Sequence, residues 1–106
     1  MKKLISILLL VLLLAGCKLG QGSVRLKWNE YPNTFQYLIT EIKNNSVVQE
    51  TINGNQTSAE LGYLEEGKYF FEVCARNSSY QPIALGTMGP VMVYEYRDYT
   101  FIIDVK

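Results

Sequence analysis

From residue 23 onward, apolar and polar positions alternate with a period of two, and no stretch shows the spacing of an amphipathic helix. Val24, Leu26 and Trp28 alternate with Ser23, Arg25 and Lys27, which predicts a strand with one wet face. A turn cluster over residues 29–33 follows, then strands over 35–43 and 47–52 separated by Asn44-Asn45-Ser46. Asn53-Gly54-Asn55 is a strong turn signal, and a short fourth strand is expected over 57–61 before a turn at Glu65-Glu66-Gly67. The clearest alternation runs over 68–76: Tyr69, Phe71, Val73 and Ala75 share one face, and Phe70, Glu72, Cys74 and Arg76 share the other. A longer polar loop is expected from 77 to about 86, with Gly86 and Gly89 as turn glycines. Two last strands, over 91–96 and 100–105, then flank Arg97-Asp98. Short strands at regular spacing, with turn signals between them, indicate an all-β sandwich or small barrel.

Several of these residues fall in a known pattern. "VRLKW", "YLI" and "AELGYLEEGKYFFEVCARN" resemble strands B, C and E–F of a fibronectin type III domain, across residues 23–96. The matching positions are Trp28, then Tyr37 with Ile39, then Leu61 with Leu64, then Tyr69, Phe71, Val73, Ala75 and Asn77. The resemblance implies an immunoglobulin-like antiparallel sandwich in which Tyr69 forms a tyrosine corner, its ring in the core and its hydroxyl bonded to upstream backbone. Two departures stand out. The turn before Tyr69 is one residue short and lacks the usual proline. Too few residues separate Cys17, read below as the lipidated first residue, from the strand at Val24 to fit both a tether and strand A. Residues 101–105, where Phe101, Ile103 and Val105 alternate with Ile102 and Asp104, are therefore expected to supply the missing edge.

The first residues follow a different rule. Met1-Lys2-Lys3 is a positive head, and residues 4–15 are apolar apart from Ser6, too short to cross a hydrocarbon core of about 20 residues. That layout is a secretory signal, and its ending Leu14-Ala15-Gly16-Cys17 resembles the bacterial lipobox. The resemblance implies a diacylglycerol thioether on Cys17, with cleavage just before it. The expected organisation is a signal peptide over 1–16, a lipidated Cys17 with a short tether to residue 22, and one domain over 23–106. A diacylglycerol alone supplies the two chains that stable anchoring needs. Lys18 follows the cysteine where some Gram-negative bacteria use Asp to retain lipoproteins in the inner membrane, so a cell-envelope location is expected, with the outer membrane favoured.

Charge and residue inventory narrow the function. The 106 residues contain ten bases and ten acids, and Lys2 and Lys3 leave with the signal. A near-neutral chain without a basic cluster argues against a nucleic-acid partner. There is no histidine, hence no Cys-His pair and none of the commonest metal ligand; no phosphate-binding glycine loop appears either. Glu65-Glu66 reads as a solvated turn, and Ser78-Ser79 lacks an activating partner. No cofactor and no catalysis are expected. With Cys17 lipidated, Cys74 reads as a small half-buried apolar residue or, alternatively, one side of an intermolecular bridge. The N-x-Ser/Thr triplets at Asn44, Asn55 and Asn77 read as turn chemistry.

Binding is what remains. On the fibronectin-like layout, the outer face of strands C, F and G would carry Leu38, Ile42, Phe70, Cys74, Met92, Tyr94 and Tyr96. A contiguous apolar face of that kind marks an interaction surface, and aromatics with Met are enriched at interface cores. The expected role is a membrane-anchored, non-catalytic module that holds a protein or glycan partner at the envelope. The alternative is a structural or regulatory accessory subunit of an envelope complex.

Overall fold

A computed structural model describes residues 21–106; Cys17 and the segment before it lie outside the described residues. Seven strands form two packed sheets: β1 (Gln21–Trp28), β2 (Gln36–Lys43), β3 (Ser46–Ile52), β4 (Ser58–Glu65), β5 (Gly67–Arg76), β6 (Pro82–Val93) and β7 (Asp98–Ile103). One sheet has the order β4-β1-β7 and the other β3-β2-β5-β6. The fold is an all-β sandwich.

Alternation decides which side chains lie between the sheets. Val24, Leu26 and Trp28 of β1 are buried against Tyr37 and Ile39 of β2 and Tyr69, Phe71, Val73 and Ala75 of β5. Trp28 meets Tyr37 edge-on at 5.5 Å, and the Tyr37 hydroxyl accepts a hydrogen bond from the Tyr31 amide at 2.9 Å. Tyr69 stacks on Phe71, and its hydroxyl donates to the Glu65 carbonyl at 2.8 Å, tying the start of β5 to the end of β4. The β2–β3 turn puts Asn44 and Asn45 at φ 53° and 66°, the left-handed pair that a two-residue hairpin needs.

The last strand fills the edge beside β1. Residues Asp98–Ile103 pair with Ser23–Trp28, but in parallel, so this one ladder departs from the expected antiparallel arrangement. The direction follows from connectivity: β6 ends at the same rim where β1 begins, so β7 must start there and run alongside β1. Beyond Ile103 the Asn29 side chain takes over from β1. Its amide donates to the Val105 carbonyl at 2.9 Å and its oxygen accepts from the Val105 amide at 2.7 Å. Lys106 then exchanges two backbone hydrogen bonds with Leu85 of β6, so the chain end bridges both sheets.

Several boundaries differ from the sequence reading, and β7 spans Asp98–Ile103 rather than 100–105. β1 starts at Gln21, which takes two residues from the expected tether. β4 continues past Leu61 to Glu65 because Gly62, at φ 80°, absorbs a bulge opposite Val24/Arg25. The expected loop over 77–86 closes at Gln81, and residues 82–86 belong to β6. Gly86 is not a turn glycine: a Cβ there would stand 2.6 Å from Ile103 Cγ2 and 2.7 Å from the Asp104 carbonyl, so its lack of side chain admits the chain end. Finally, β6 stops at Val93, and Tyr94 and Tyr96 lie in the link to β7.

Candidate binding face

The outer face of the four-stranded sheet is built by cross-strand register. Leu38 pairs with Ile52 on one side and Cys74 on the other, and Cys74 pairs with Leu85. The result is an apolar row across all four strands, about 14 Å long at ordinary strand spacing. Leu38 and Cys74 in its middle are half-buried, and its ends, Ile52 and Leu85, are 57% and 47% exposed. A second row, Glu50–Thr40–Glu72–Thr87, is polar. Beyond it Ile42 pairs with Phe70 and Val47, and a shallow depression opens between Ile42, Phe70, Pro90 and the Asn44-Asn45 turn. Phe70 lies over Gly89, where a Cβ would stand 3.2 Å from its ring at a φ of 127°.

Leu38, Ile42, Phe70 and Cys74 are thus brought to one face, as their alternation predicts. The face is banded rather than contiguous, because the Thr40–Glu72 row interrupts it. Met92 sits at the margin opposite Lys68. Tyr94 and Tyr96 are not on the sheet: β6 ends before them, and the link turns toward β1. The Tyr94 amide donates to the Tyr99 hydroxyl at 2.9 Å, and the Arg97 guanidinium stands 5.4 Å over the Tyr94 ring.

Two residues of the row, Ile52 and Leu85, were not singled out in the sequence. Ile52 keeps the parity of the outward positions on the third strand, which was available as a signal. Leu85 was hidden by Pro82 and Gly86, which read as loop residues. Burial pushes the Cys74 thiol above its ordinary value, Arg76 opposing and Glu72 adding, which disfavours the nucleophilic thiolate. No cluster of three or more potential metal ligands occurs among the described residues.

At the far rim, Phe35 and Tyr80 form an edge-on pair at 5.8 Å, half or more exposed, and the Arg76 guanidinium lies 5.9 Å from the Tyr80 ring. Comparison of the chain with protein-family profiles, with curated proteins and with solved structures returned no match.

Proposed function

We propose that this chain is a lipid-anchored, non-catalytic binding module of the bacterial cell envelope, held by Cys17 and taking a protein partner on the outer face of its four-stranded sheet. The observation that carries this reading is the Ile52–Leu38–Cys74–Leu85 row. An outward sheet face is normally polar, and an apolar row with exposed ends offers area that a partner can remove from water. Burying the part of Ile52 and Leu85 that is still exposed, about half of each, would contribute about 1 kcal/mol apiece.

The strand pairing supports a fibronectin type III-like classification. β1 and β4 lie together as strands B and E would, and β2, β5 and β6 as C, F and G would. The Tyr69–Glu65 hydrogen bond has the form of a tyrosine corner, and β7 takes the place of strand A.

Crosslinking in cells, followed by purification, tests the reading. The protein should label with palmitate and fractionate with membranes, and Cys17→Ser should do neither. The pair Ile52→Ser and Leu85→Ser should leave the anchor intact while removing the crosslinked partner. Unchanged crosslinking by that double variant would rule out this face, and continued palmitate labelling of Cys17→Ser would rule out the anchor.

A further inference from the structure

If Cys17 carries the lipid, as proposed above, its distance along the chain sets which part of the domain is held nearest the bilayer. Four peptide units separate Cys17 from Gln21, where β1 begins. An extended chain advances at most about 3.5 Å per residue, so Gln21 stands within about 14 Å of the anchored residue. β1 runs eight residues to Trp28, whose end lies about 23 Å further on at roughly 3.3 Å per residue, so the end at Gln21 is the part of the domain tied nearest the anchor.

The rim around Gln21 is assembled from both sheets. Gln21 pairs with Glu65, and Glu65 accepts an ion pair from Lys43 at 3.2 Å, which brings in the β2–β3 turn. Gly67 and Lys68 pair with Val93 and Met92, which brings in the end of β6. The link from β6 to β7 packs directly on β1: the Ser23 amide donates to the Arg97 carbonyl at 2.9 Å, and a Cβ on Gly22 would stand 2.5 Å from the Tyr94 carbonyl.

Five large apolar or aromatic side chains are exposed on or beside this rim: Val47, Val48, Met92, Tyr94 and Tyr96, between 39% and 65%. We infer that this rim rests on the lipid surface, with these five side chains in the headgroup region and the domain standing on end. Tyrosine is enriched at membrane–water interfaces because its ring is apolar and its tip is polar. Lys43, Lys68 and Arg97 are countered by Glu65, Glu66, Glu95 and Asp98, so the rim has no excess positive charge and a zwitterionic surface suffices. The contact is therefore apolar and interfacial rather than electrostatic. It also divides the apolar residues into two sets. Met92, Tyr94 and Tyr96 belong to the lipid, and the Ile52–Leu85 row stands clear of it for a partner.

The test uses the full protein isolated from membranes and placed in phosphatidylcholine nanodiscs, with and without a lipid whose headgroup chelates gadolinium. Mass analysis of the N-terminal peptide reports the lipid on Cys17 separately. With the lipid present, amide signals of Val47, Val48, Tyr94 and Tyr96 should broaden at least several-fold more than those of Gln56 and Tyr80, at low and high salt alike. Equal broadening of Ile52 and Leu85 would mean the domain lies on its sheet face, and uniform or absent broadening would mean no preferred contact. Either result overturns the inference while leaving the anchor standing. An unmodified Cys17 would overturn the anchoring reading, and this inference with it.

Discussion

Edge strands β7 and β3, one from each sheet, are similarly stocked and differently used. β7 reads Asp-Tyr-Thr-Phe-Ile-Ile and β3 reads Ser-Val-Val-Gln-Glu-Thr-Ile, both rich in residues that favour strands. Along β7 the inward positions are covered: Ile103 and the following Val105 are buried, and Phe101 packs against Phe71 at 5.9 Å and Tyr99 at 5.5 Å. Along β3 nothing is buried, and Val47, Val48 and Ile52 all exceed half exposure. The four-stranded sheet is wider than its three-stranded neighbour, so β3 overhangs while β7 closes a side of the core. Composition makes both segments strands; the opposing layer decides which one holds the fold together. β3 remains an open edge, blunted by Glu50 and by the bulge that leaves Val48 unpaired opposite Glu41/Ile42.

Removing each edge should therefore have unequal consequences, and the largest belongs to β7. A chain ending at Asp98 loses the buried Ile103 and Val105, each contributing about 1.5–3 kcal/mol, and the partly buried Phe101, which adds a fraction of that. That sum is comparable with the whole stability of a small domain, on the order of 5–15 kcal/mol. It also strips β1 of its parallel partner and Asn29 of both its hydrogen bonds. Hydrogen exchange should show collapsed protection in β1 and β5. Native-like protection would show that β7 is no more structural than β3, and the contrast would dissolve.

How much of that contrast was legible follows from which forces were local. The faces of β1 and β5 could be read directly, because residues such as Tyr69, Phe71 and Val73 hold a strict alternation. The expectation of a terminal edge strand was also legible, because a chain that begins at a lipidated Cys17 would leave no room before Val24 for a preceding strand. Its parallel direction was not, because it depends on where β6 ends rather than on any property of residues 98–103. The limits of β6 were misread for the same reason. Pro82, Gly86 and Gly89 look like loop residues, yet Gly86 is small to admit Ile103 and Asp104, a contact between distant parts of the chain. That error carried Tyr94 and Tyr96 onto the sheet face, although β6 releases them into the rim. The overhang of β3 was likewise invisible, because nothing in its seven residues records the width of the other sheet.

The boundary between covered and overhanging chain runs along β2, and a titration can locate it. Tyr37 and Ile39 are fully enclosed, and Glu41 follows them on the same inward parity, 6% exposed, opposite Phe71. Burial pushes the Glu41 carboxyl above its ordinary value. A carboxyl whose folded value is raised holds its proton more readily in the folded state. Its contribution to stability is therefore fully present below the unfolded value and lost as pH rises through the folded value. Ionising the group as pH rises works against that burial, opposite Phe71. Glu41→Gln should raise the denaturation midpoint at pH 7 relative to the parent, and the gain should shrink toward pH 4. A difference independent of pH would place Glu41 in water, on the overhanging side with β3.

The smallest effect is the sharpest check on the overhang itself. Ile52 on β3 and Ile102 on β7 are 57% and 65% exposed, and each stands on an edge strand. If exposure alone sets the cost, Ile52→Ser and Ile102→Ser should each shift stability by no more than about 0.5 kcal/mol, as surface changes do. Ile103→Ala, one residue along β7, should cost about 2–5 kcal/mol because it empties a filled site. Chemical denaturation with an unchanged m-value reads all three. The two serine variants matter as a pair, since they sit on strands with opposite roles but share the same contact with water. Equal small shifts would mean that β7 is structural only through its inward side chains. A loss for Ile52→Ser approaching that of Ile103→Ala would mean β3 is covered after all, and the apolar row it begins would belong to the core rather than to a partner.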